Sequence, residues 1–193
     1  MGRLSSFFKN ADLRVSLQLL KVAGKLSVAN EREYREALKI FKELDQVLLH
    51  EDDYNPKSIN KLKFWLITGP FIKKMIAYNP NFEKVIEKEF PNLDIATSLE
   101  IFPIMEQIGT NEQTQQAFKR ILPIADRYLQ RSEEFNPKHI AGLKEFMTTS
   151  KVVREYVESN PEECAEMPNI LECVRNGKHS QTARQEEECG LSR

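Results

Sequence analysis

One stretch of this chain is written twice. Asp53-Tyr54-Asn55-Pro56-Lys57-Ser58-Ile59-Asn60-Lys61-Leu62-Lys63 is matched by Glu134-Phe135-Asn136-Pro137-Lys138-His139-Ile140-Ala141-Gly142-Leu143-Lys144 at a constant offset of 81 residues. The register holds to Asn79-Pro80 against Asn160-Pro161, and nine of the 28 positions from 53 to 80 are identical. Upstream, Asn30-Glu31 pairs with Asn111-Glu112. Beyond one missing residue, Asp12–Leu17 pairs with Asp94–Leu99 at an offset of 82. Matches that keep register through both Asn-Pro pairs point to an internal duplication. A duplicated unit builds its core by stacking neighbours, which restricts the architectures open to the chain.

The repeated unit reads as helix throughout. Tyr34, Ala37, Leu38, Phe41, Leu44, Val47 and Leu48 fall at the spacing of one helical face over 31–49. Phe118, Ile121, Leu122, Ala125, Tyr128 and Leu129 repeat that stripe in the second copy. Asn30 is the predicted N-cap, with Glu33 placed to reach back as in a capping box. An earlier helix is predicted over 12–26, and its counterpart over 94–108 contains Pro103, which should kink or shorten it. Asn caps a helix and Pro suits its first position, so helices are expected to start at Pro56, Pro80, Pro137 and Pro161. Gly69-Pro70 should divide the segment 56–78, and Thr148-Thr149-Ser150 should cap a new helix at the same place in the second copy. No alternating run is long enough for a strand.

The expected fold is therefore all-α: two tandem helical repeats of about 81 residues, each of about four helices. They would pack as a short α-solenoid, whose units commonly run to about 40–47 residues, or as paired helical bundles. The predicted divisions are an N-terminal segment 1–11, a first repeat 12–92 and a second repeat 94–169. Phe90-Pro91-Asn92-Leu93 and Met167-Pro168-Asn169-Ile170 would close the two copies. A short cap at 170–175 and a flexible polar tail from Asn176 complete the chain.

Composition narrows the functional classes. The 193 residues carry 28 Lys and Arg against 29 Asp and Glu, a net charge of -1, so bulk charge selects neither nucleic acid nor membrane. Three Cys, all beyond residue 160, do not make a disulfide framework and suit a reducing compartment. There is no apolar run of about 20 residues to cross a bilayer and no secretory signal, so a cytoplasmic protein is expected. Gly loops that cradle phosphate, nucleophile elbows and His-Glu metal motifs are absent.

Four places could carry chemistry. Cys164, Cys173, His179 and Cys189 offer zinc-type ligands within 26 residues, but without the close Cys pair of most structural zinc sites. The alternative is two partly buried thiols and a free thiol on a tail. Asp45, His50, Glu51, Asp52 and Asp53 gather acids around a His, although the second copy keeps the acidity and loses the His. They read as solvated connection residues. His139, beside a helix start, reads as a surface residue. Met1-Gly2-Arg3-Leu4-Ser5-Ser6 fits the loose N-myristoylation pattern at Gly2, with Arg3 a poor neighbour.

The fourth place is the stretch 54–82, which holds Lys57, Lys61, Lys63, Lys73 and Lys74 with no acid among them. Tyr54, Phe64, Trp65, Phe71, Tyr78 and Phe82 are interleaved, though most suit core packing. Residues 12–93 sum to net +2 and residues 94–193 to net -5, so the positive character belongs to the first copy. Lys57, Lys61, Lys63, Trp65, Lys73 and Lys74 are the expected binding surface. The expected function is a non-catalytic adaptor or regulatory module without cofactor. Its partner would be another protein presenting an acidic, helical or peptide epitope. Nucleic acid on the same face is the alternative, followed by a metal site in the Cys/His region. A membrane partner would come only through Gly2.

Overall fold

Two asparagine pairs that recur at the repeat offset, Asn30 with Asn111 and Asn55 with Asn136, cap helix starts. In a computed structural model, which describes residues 28–178, Asn30 accepts from the Glu33 amide at 2.9 Å and opens helix α1, Glu31–Leu49. The Glu33 carboxylate reaches back to the Ala29 amide at 2.8 Å, one residue earlier than a capping box would. In the second half Asn111 and Thr114 do make the reciprocal pair, at 3.0 and 2.8 Å. After α1 come a short 3-10 turn, Glu51–Asp53, and helices α2, Pro56–Thr68, α3, Pro70–Tyr78, and α4, Phe82–Glu89. Helix α5, Pro91–Ile108, follows. Then come α6, Glu112–Gln130, a 3-10 turn, Ser132–Glu134, and helices α7, Pro137–Thr149, α8, Lys151–Ser159, and α9, Pro161–Cys164. A last helix, α10, covers 168–178.

The bounds of α1, its 3-10 turn, α2 and α3 return in α6, its turn, α7 and α8, every one shifted by 81 residues. Asn55 and Asn136 cap α2 and α7 by accepting from Lys57 and Lys138 amides, each at 2.9 Å, and a Pro follows each cap. Gly69 separates α2 from α3, and Ser150 caps α8 through the Val153 amide at 3.2 Å. All regular structure among the described residues is helical, and no described helix is long and apolar enough to cross a membrane. The chain divides into two compact units between Ser98 and Leu99.

Four local expectations need correction. Pro80 does not start a helix: the Asn79 side chain accepts from the Asn81 amide at 3.0 Å, which holds the chain in a turn, and α4 begins at Phe82. Helix α5, expected from 94, already opens at Pro91, and α10, expected as a short cap from 170, opens at Pro168, because Pro is most at home in the first turn. Pro103 does not shorten α5, which runs from Pro91 to Ile108. The ring faces solvent while its neighbours Phe102 and Met105 are buried, so packing on the inner side maintains the helix. Residues 176–178, placed in the tail by composition, belong to α10, where Lys178 pairs with Glu158 at 2.7 Å. The segments 1–11 and 12–26, and the rest of the tail, lie outside the described residues.

The first unit has an aromatic interior. Phe41 stacks on Phe71 at 5.4 Å and meets Phe82 edge-on at 5.2 Å, with Phe90 at 5.8 Å. Such ring pairs add roughly 0.5–1.5 kcal/mol each beyond the area they bury. In the second unit Phe118 meets Tyr156 at 5.7 Å, Phe102 stacks on Phe146 at 4.3 Å, and Tyr128 meets Phe135 at 5.3 Å.

Candidate interaction surface

Helices α2 and α3 contain no Asp or Glu, so their solvent face carries only positive charge. The structure sorts the six residues expected there. Lys57, Lys61 and Lys73 are exposed, and Lys74 is half-buried. Lys63 points the other way: its ammonium pairs with Glu51 at 2.9 Å, and each side chain is only 13% exposed. That pair ties α2 to the 3-10 turn before it. Trp65 is half-buried, with its ring 6.0 Å from Phe71, and serves the interior.

The exposed aromatic of this face is Phe64, at 68% exposure, with Ile67 beside it at 39%. Lys57, Lys61, Phe64 and Thr68 succeed one another at spacings of four, three and four residues, which places them on one stripe of α2. In the sequence Phe64 is one aromatic among many. Comparison of the copies singles it out: its counterpart at the repeat offset is Glu145, also exposed.

The acidic group around His50 divides differently. His50 ends α1, its amide donating to Gln46, and Asp52 and Asp53 are exposed on the turn. Asp45 is not a connection residue at all. It is 5% exposed, and its carboxylate accepts from the Leu93 amide at 2.9 Å and the Asn92 side-chain amide at 3.2 Å. Asp126 repeats this exposure and geometry. It is 7% exposed and accepts from the Asn169 and Ile170 amides at 2.8 and 3.0 Å, and from the Asn169 side chain at 3.3 Å. Each unit therefore buries one carboxylate against the start of a helix, α5 or α10, where unpaired amides and the helix dipole favour negative charge. The acidic character around residue 50 hides this role; the Asp identity at the repeat offset signals it.

Two tyrosines donate to exposed carboxylates. Tyr78 reaches Glu31 at 3.2 Å, and Tyr156 reaches Glu163 at 3.0 Å. Desolvation, helped by Glu163, pushes the Tyr156 phenol up to about 12. Glu163 also holds Lys119 at 2.7 Å. These contacts join helices within one unit.

Among the described residues no group of three or more His, Cys, Asp or Glu could hold a metal. Cys164 is buried and Cys173 half-buried, and burial pushes both thiols up, away from the thiolate that zinc or a nucleophile requires. His179, Cys189 and Gly2 lie outside the described residues. His139, expected at the surface, is 2% exposed: it lies on the buried face of α7, beside Ile140 and one turn before Leu143. No family model, no curated protein and no solved structure matches this chain.

Proposed function

We propose that this chain is a non-catalytic protein-interaction module of the adaptor or regulatory kind. It would be built from a duplicated helical unit, packed as a short α-solenoid or as paired bundles. The recurrence of helix bounds at 81 residues and the two buried carboxylate clamps support the duplication. The observation that carries the binding role is the acid-free α2–α3 pair, with Lys57, Lys61 and Lys73 in solvent. Elsewhere the buried acids Asp45 and Asp126 are engaged with backbone amides, a scaffold duty. The free thiols of Cys164 and Cys173 suit a reducing, cytoplasmic setting.

Charge reversal tests the role. The Lys57→Glu/Lys61→Glu/Lys73→Glu protein should keep its helicity by circular dichroism and lose the protein partner that the unaltered chain retains. Retention of that partner would remove the face from consideration. Tight binding of short duplexes or single strands that weakens steeply with salt would replace the protein partner with nucleic acid.

A further inference from the structure

Positions 64 and 145 occupy the same place in helices of equal length, α2 and α7: each lies mid-helix, and each faces solvent. The fold therefore asks for no apolar side chain there. The second unit fills the place with Glu145, the first with Phe64 at 68% exposure. Phe64 is the most exposed large apolar side chain among the described residues, and with Ile67, at 39%, it makes a small apolar patch in solvent. Its neighbours on the stripe give the chemistry. Lys57 and Lys61 lie on the same side, Lys73 is exposed on the next helix, and no acid is present on either helix.

Resting on the interaction role proposed above, we infer that the stripe Lys57–Lys61–Phe64 on α2, flanked by Ile67, receives an acidic amphipathic peptide segment. One large apolar side chain of that segment covers Phe64, and its carboxylates meet Lys57 and Lys61. Phe64 is the anchor and the lysines supply orientation and rate of encounter. Lys63 and Trp65 take no direct part, being engaged with Glu51 and Phe71. Helix α7 cannot serve the same partner. There Lys61 becomes Gly142, where an added Cβ would lie 3.4 Å from the Leu99 side chain, and Phe64 becomes Glu145.

A random-peptide display library selected on the immobilised full chain tests the inference. Enriched peptides should carry Asp and Glu around one aromatic or large aliphatic residue. Phe64→Ala and Lys57→Glu/Lys61→Glu should each weaken a purified winning peptide by about tenfold or more, and Glu145→Ala should leave it unchanged. Circular dichroism and Trp65 fluorescence establish that the variants are folded. Peptides without acids, or peptides indifferent to Phe64 and the lysines, would overturn the inference while leaving an interaction role at another surface. Displacement of the peptide by a labelled single strand, with steep salt dependence, would overturn it in favour of nucleic acid. Failure of the three-lysine variant to affect the protein partner is the separate result that would remove the broader role.

Discussion

The α1–α3 pair of the first unit and the α6–α8 pair of the second solve one packing problem with different side chains. Phe41 and Phe71, stacked at 5.4 Å, correspond to Leu122 and Val152. One turn away, Ala37 and Met75 correspond to Phe118 and Tyr156, whose rings lie 5.7 Å apart. All eight positions are buried. The ring pair has moved one turn along antiparallel helices, and the smaller residues have moved in the opposite sense. Interior differences between the units are thus compensated, as close packing demands. Phe64 against Glu145 is a difference of another kind: both side chains lie in solvent, so no packed partner compensates for the change, and the stripe around them diverges as well, Lys61 to Gly142 and Ile67 to Thr148. Uncompensated divergence on the surface is where the two copies have room to take on different duties.

The largest effect expected on this comparison is at Phe41. Phe41→Ala should destabilise the first unit by about 3–5 kcal/mol, since the site is fully buried among three rings. The exchange Ala37→Phe/Phe41→Leu/Phe71→Val/Met75→Phe copies the second unit's arrangement and should cost less than about 1.5 kcal/mol. Phe is chosen at 75 because the Tyr156 hydroxyl donates to Glu163, whose counterpart is Phe82. Ala37→Phe alone overpacks and should cost about 1–3 kcal/mol. Urea unfolding followed by Trp65, the single Trp, reads the first unit directly. A fourfold exchange as damaging as Phe41→Ala would mean that the two interiors are not interchangeable.

The carboxylate clamps come next. Asp126→Ala strands the buried amide of Ile170 and weakens the start of α10, at about 1–3 kcal/mol for each donor left unpaired. Asp45→Ala should act the same way at Leu93 and α5. Asp→Asn at either place keeps one acceptor oxygen and should cost less. Chemical denaturation of the four variants checks the equivalence of the clamps, which fails if one of the alanine variants is neutral.

Helix identity is legible in the sequence because its signals are local. Periodic apolar stripes, Asn-Pro caps and the Gly69 break each depend on a few adjacent residues, and they place α1, α2, α3, α6, α7 and α8. What escapes depends on neighbours distant in sequence. Asp45 lies shortly before the acidic run Glu51-Asp52-Asp53, and only the arrival of Asn92 and Leu93, 47 and 48 residues later, sets it apart as interior. His139 follows a helix cap, which suggests a surface place, yet its position turns it into the core. Trp65 and Phe64 are adjacent, and composition cannot say which of two neighbouring rings a helix turns outward. The run of lysines is plain in the sequence, but only the contact with Glu51 sets Lys63 apart from the others.

The smallest expected effect on stability concerns the surface difference itself. Phe64→Glu and Glu145→Phe exchange the two copies' residues at exposed mid-helix positions. Each should change the stability of its unit by less than about 0.5 kcal/mol, as surface substitutions away from packed features usually do. Phe and Glu differ only modestly in helix propensity, with Glu the better former. Urea unfolding measures both, by Trp65 fluorescence for the first unit and by circular dichroism for the second. A loss above about 1 kcal/mol in Phe64→Glu would show that the ring stabilises the first unit, making it a part of the scaffold. A neutral result leaves its exposure without a folding reason, and the peptide selection then decides what the contrast with Glu145 serves.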